Sequence, residues 1–221
     1  IRKSPSAFHV IDNFRAMLLE QGYAELRENE RWPAEAGGKY FVTRNGSSLI
    51  AFRVPKKPEG GFMLAAAHSD SPSFKIKQNP EKLSAGHYVQ LSTEKYGGMI
   101  LSTWLDRPLS VAGRVVISEQ IVGQTPTQIG LMTELVNIDE DRFVIPNVAI
   151  HMNRDINKGM EYNPQTDMMP LYCGIGDDPI AEETDSGEVM EDILEEEPED
   201  FRGMLLLEIA ESIGVHPEQI L

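Results

Sequence analysis

Apolar positions recur along this chain at two periods, and the changes of period mark its elements. Val10, Phe14, Met17 and Leu18 fall at helical spacing, with Ile11 on the same side. A stripe repeating every three to four residues predicts an amphipathic helix. Ser4-Pro5 in front of it reads as an N-cap and first-turn proline, and Gly22 as a stop. Downstream the period shortens. Residues 39–44 and 48–54 are rich in β-formers, and Asn45-Gly46 between them is a strong hairpin signal. After a polar turn over 56–61, the run Gly61-Phe62-Met63-Leu64-Ala65-Ala66-Ala67 is continuously apolar. Such a run predicts a strand buried on both faces. Residues 86–94, 99–104, 111–121 and 141–150 predict further strands without long helical periods. Leu205, Leu206, Ile209 and Ile213 then form one helical stripe closed by Gly214, and no stretch repeats another. A helix, a hairpin and a buried strand predict an α/β sheet, followed by a β-rich segment.

Charge changes this picture in one place. Of the 221 residues 35 are acidic and 20 basic, a formal charge of -15. Thirteen of the acidic residues lie between Asp177 and Asp200, with no Lys or Arg among them; the rest of the chain is nearly neutral. That segment reads as a solvated, self-repelling loop, with a cation-binding or partner-binding tail as the alternative. The charge balance argues against a nucleic-acid partner. The single Cys173 excludes an intrachain disulfide framework and a thiolate-rich zinc site. Apolar runs are too short to span a membrane, and no basic-then-apolar leader opens the chain. A reducing compartment, the cytoplasm, is expected. The chain opens at Ile1 and stops on Ile220-Leu221, so a piece of a longer protein is also expected.

Chemistry points first to His68-Ser69-Asp70. Neutral imidazole is a common zinc ligand. In extended backbone, side chains two apart share a side, which lets Asp70 reach a ring nitrogen of His68, fix its tautomer and raise its basicity. The carboxyl end of a buried strand suits such a site. The alternative is a surface turn with an ordinary hydrogen-bonded histidine.

The run Ala65-Ala66-Ala67-His68-Ser69-Asp70-Ser71-Pro72 resembles the first metal-ligand motif of the aspartyl aminopeptidase family of zinc metallopeptidases, with Ser69 where the family usually has Thr. The hairpin over 38–52 resembles the segment preceding that motif. Tyr96-Gly97-Gly98, Thr103-Trp104-Leu105-Asp106-Arg107-Pro108-Leu109 and Ala112-Gly113-Arg114-Val115 resemble its Tyr-Gly-Gly to Gly-Arg-Val signature. Ile145-Pro146-Asn147-Val148-Ala149-Ile150-His151 resembles a further family segment. The resemblance runs in order over most of residues 4–221.

This resemblance implies the N-terminal portion of such an enzyme: part of a mixed α/β catalytic domain over 1–87, then an inserted β-rich dimerisation domain over 88–221. It implies two zinc ions in the full-length parent, with His68 as a metal ligand and Asp70 orienting it. It implies that His151 reaches a neighbouring subunit's active site to stabilise the oxyanion, and that dimers assemble into a dodecamer. The expected reaction is hydrolytic removal of N-terminal residues from peptides, Asp or Glu foremost, with neutral residues in some members. The family's other ligands and its general base lie beyond the segments matched, so this chain alone is expected to be inactive. The alternative is a non-catalytic oligomerisation module or inactive fragment. A third reading, another two-zinc exopeptidase of related fold, fits the Tyr-Gly-Gly to Gly-Arg-Val stretch less well. Asp106-Arg107 reads as a buried or interface ion pair fixing the insert's geometry, and Trp104 as core. His9, His87, His216 and Cys173 are given no role.

Overall fold

The computed structural model describes residues 2–33, 35–57, 60–121, 128–175, 201 and 203–221. The expected acidic loop at 177–200 lies outside the described residues. Among these, no helix is long and apolar enough to cross a membrane. The chain divides into two compact units. One comprises residues 1–71, 111–137 and 221, the other 72–110 and 138–220.

The first unit opens with helix α1, Ala7–Glu20. Its cap is Ser6 rather than Ser4: the Ser6 hydroxyl accepts from the His9 amide and lies 2.8 Å from His9 Nδ1. Ser4 instead accepts from the Asn13 side chain at 3.0 Å. Ile11 is buried, whereas Phe14 and Met17, expected on the packed stripe, are about half exposed. Strands β1 (Ala24–Leu26), β2 (Lys39–Arg44) and β3 (Ser48–Arg53) follow. They form a mixed three-stranded sheet in that order, β1 parallel to β2 and β2 antiparallel to β3. The register pairs Arg44 with Ser48, leaving a three-residue loop in which Asn45 and Gly46 take φ of 58° and 64°. Tyr40, Phe41 and Val42 of β2 are buried, Phe41 completely.

The run 61–67 departs from expectation. It forms no strand, and Phe62, Met63 and Leu64 are almost wholly exposed. A strand buried on both faces needs neighbours to satisfy its backbone and cover its side chains. Among the described residues no strand pairs with it.

Strands β4 (Ser73–Ser84), β5 (Tyr88–Tyr96), β6 (Pro108–Ile121), β7 (Gln128–Val144) and β8 (Leu171–Gly174) form a five-stranded sheet in the order β4-β5-β8-β7-β6. The β4–β5 register shifts between Ile76 and Glu81, where Asn79 takes a φ of 50°. Such a bulge bends the strand. Residues 101–104, expected as strand, are a 3-10 helix, and the strand expected over 141–150 ends at Val144. Residues 111–121 of β6 and 128–137 of β7 count with the first unit. There Arg114 donates to the Asn45 carbonyl at 2.6 Å and lies over the Phe8 ring.

In the second unit, Leu105, Ile145 and Met168 form a buried cluster with Phe74, Leu101, Trp104, Leu109 and Tyr162 packed on it. Trp104 meets Phe74 edge to face, a core position as read from sequence. Helix α2, Met204–Ile213, begins near the expected place. It ends at Gly214 with φ of 70°, the left-handed stop that glycine tolerates. Leu205 and Ala210 form its buried side.

Candidate active site

His68 follows the exposed run and sits in irregular backbone. Its Nδ1 lies 2.8 Å from the Asp70 carbonyl oxygen and 3.2 Å from Asp70 Oδ1. A carbonyl oxygen only accepts, so Nδ1 is the donor; in a neutral ring this places the lone pair on Nε2. This is the tautomer that can ligate a metal through Nε2, with a carboxylate behind the ring. Ser69 Oγ donates to the Ser47 carbonyl at 2.8 Å, tying the turn to the β2–β3 hairpin loop. This anchor has no local signal in the sequence, since Ser47 lies 22 positions before Ser69. The His68 side chain is 82% exposed and that of Asp70 41%, so the ring is not enclosed by the strand exit expected for it.

His151 belongs to the second unit. It stands exposed in a turn closed by the Met152 amide on the Ala149 carbonyl at 2.8 Å. Val148, Ile150 and Met152 around it are exposed as well. The turn is reached from Ile145, whose backbone bridges Leu105 in parallel. Asp106 and Arg107 form no ion pair among the described residues. Arg107 donates to the Thr103 carbonyl at 3.3 Å, while Asp106 Oδ1 accepts from the Asn147 amide at 2.9 Å. Both residues are exposed, so charge pairing across their adjacent side chains has little to gain over water. Burial pushes the Cys173 thiol up, away from a reactive thiolate.

Structural zinc has four ligands, and catalytic zinc keeps three from protein. Among the described residues no group of three or more His, Cys, Asp or Glu side chains could hold one ion. His68 fits as one ligand: with Nδ1 turned to Asp70, Nε2 is the nitrogen that a neutral ring would offer to a metal. The described residues do not complete a coordination sphere.

The architecture has counterparts among solved structures. The Chaetomium thermophilum mApe1 structure matches with a TM-score of 0.74 and 32% identity, over 99% of this chain and 46% of that one. The S. cerevisiae mApe1 dodecamer shares the fold, with a TM-score of 0.66 and 22% identity over 99% of this chain and 44% of that one. The sequence matches the description of the aminopeptidase I zinc metalloprotease (M18) family over residues 1–221, and the chain belongs to that family. A probable M18 family aminopeptidase 2 of Clostridium acetobutylicum is 48% identical over 179 residues. That match takes in 80% of this chain and 40% of the relative, so the chain spans less than half the length of the relatives it matches.

Proposed function

We propose that this chain is the N-terminal portion of a zinc-dependent aminopeptidase that removes N-terminal residues, Asp or Glu foremost, from peptides. Membership of the M18 family over the whole chain carries this reading. The His68–Asp70 pair gives it chemistry. In the proposal His68 Nε2 ligates one of two zinc ions, and Asp70 holds the ring through Nδ1. Bound zinc supplies Lewis acidity and a water acidic enough to attack at neutral pH. His151, presented from the β-rich part, donates to the developing oxyanion in a neighbouring subunit. Residues 1–87 then belong to the catalytic α/β domain, where run 61–67 finds strand neighbours, and 88–221 to an inserted dimerisation domain. Assembly into a homo-oligomer, with a dodecamer as its final form, agrees with the assembled state named for the yeast fold relative. The single cysteine agrees with a cytoplasmic location.

A second reading, a non-catalytic oligomerisation module, is favoured by the absence of a three-ligand group among the described residues. The two readings part in one experiment. The full-length protein is purified and given peptides beginning with Asp, Glu or Leu. The enzyme reading predicts one-at-a-time release of the first residue, lost on chelation and restored by zinc. No release from any peptide with zinc present refutes it and supports the module.

A further inference from the structure

Asp106 and Asn147 make a clasp that none of the roles above uses. Ile145 follows the last residue of β7, and residues 146–149 continue without helix or strand. The departing chain is held by one side chain and its neighbours. The Asp106 amide donates to the Ile145 carbonyl at 2.9 Å. Asp106 Oδ1 accepts from the Asn147 amide at 2.9 Å, and Asn147 Oδ1 accepts from the Val148 amide at 2.9 Å. Pro146 between them has no amide to offer. The carboxylate thus stands where the next strand carbonyl of a ladder would be. Beneath it, Leu105 and Ile145 are buried with Met168, so the base of the clasp is anchored in packed side chains. Asp106 meets both partners from a left-handed backbone, φ 55°, a conformation that Asp and Asn tolerate better than other non-glycine residues. Two residues past Asn147, Ala149 begins the turn that carries His151.

We propose that Asp106 is a positioning residue whose carboxylate, by clasping the Asn147 amide, sets the direction in which loop 145–151 presents His151. This rests on the role proposed above for His151. The test uses the full-length protein, with Asp106→Gly, Asp106→Asn, His151→Phe and the Asp106→Gly/His151→Phe double variant. Glycine takes the backbone angle freely but loses the acceptor. Asparagine keeps both an acceptor oxygen and ease in that conformation. Readouts are hydrogen exchange at the Asn147 amide, kcat, KM and zinc content. Asp106→Gly is expected to speed exchange at Asn147 about tenfold and to lower kcat roughly 10–100-fold, the size of effect that misplacing a catalytic group produces. Zinc content and KM stay near wild type. Asp106→Asn restores both exchange and kcat, and the double variant is no slower than His151→Phe alone. If His151→Phe lowers kcat but Asp106→Gly does not, or if Asp106→Asn is as impaired as Asp106→Gly, the positioning role alone is overturned. If His151→Phe leaves kcat unchanged, the role of His151 falls and this proposal falls with it.

Discussion

An imidazole is useful to a metal only when its remaining proton is held elsewhere. At His68, Nδ1 faces the Asp70 carbonyl and carboxylate oxygens as hydrogen-bond acceptors, at 2.8 and 3.2 Å. Asp70→Asn keeps the shape and the backbone acceptor but removes the charge behind the ring. Zinc retained by the full-length protein on dialysis is expected to weaken by about 10–100-fold, the usual effect of losing such a partner. Retention equal to wild type would remove Asp70 from the site. This pair was legible because it is local: the residues are two apart, near enough for the Asp70 oxygens to reach the ring even in the irregular backbone found there. The clasp at Asp106 was not legible. Its partner Asn147 lies 41 positions away, and Arg107 beside it suggested a charge pair instead. Neither residue type nor spacing reveals a left-handed backbone at an aspartate.

Elements were legible where their signal was local and failed where it required a neighbour. Asn45-Gly46 marked the β2–β3 hairpin because both residues accept positive φ. Gly46→Ala should lower stability by about 1–2 kcal/mol, the cost of a left-handed angle for a residue with a Cβ. Chemical denaturation of the two proteins measures it. Run 61–67 read as a buried strand from its composition alone, but composition does not supply the strands beside it. Helix α2 was read from its stripe; its polar attachment was not. Tyr172 donates to Glu208 Oε2 at 2.5 Å, and Arg142 Nε lies 2.8 Å from Glu208 Oε1. Burial first, then the Glu208 carboxylate, pushes the Tyr172 phenol above its ordinary value of 10.0. Above pH 10 the unfolded chain therefore loses this proton while the folded chain keeps it. The folded state then binds more protons, and stability falls as pH rises through that window. Tyr172→Phe should flatten the fall. An equal alkaline loss in wild type and variant, followed by unfolding monitored at pH 8 to 11, would show that Tyr172 does not cause it.

At the scale of the whole molecule, family and fold were readable from motifs in order, while enclosure of the site was not. The chain spans 40% of its Clostridium acetobutylicum relative, and the candidate ligand His68, among the described residues, stands open to solvent. Histidine, aspartate and a second histidine name a chemistry; closing a coordination sphere takes groups gathered from distant parts of a fold. Peptidase chemistry in the full-length protein therefore requires His68 to hold metal. The direct measurement is zinc content and turnover of N-terminal Asp peptides for wild type and His68→Ala, with circular dichroism confirming that both are folded. His68→Ala is expected to lose bound zinc and to lower turnover at least about 100-fold, as removal of a ligand exceeds removal of its supporting partner. A folded His68→Ala protein with wild-type zinc and wild-type turnover would contradict it.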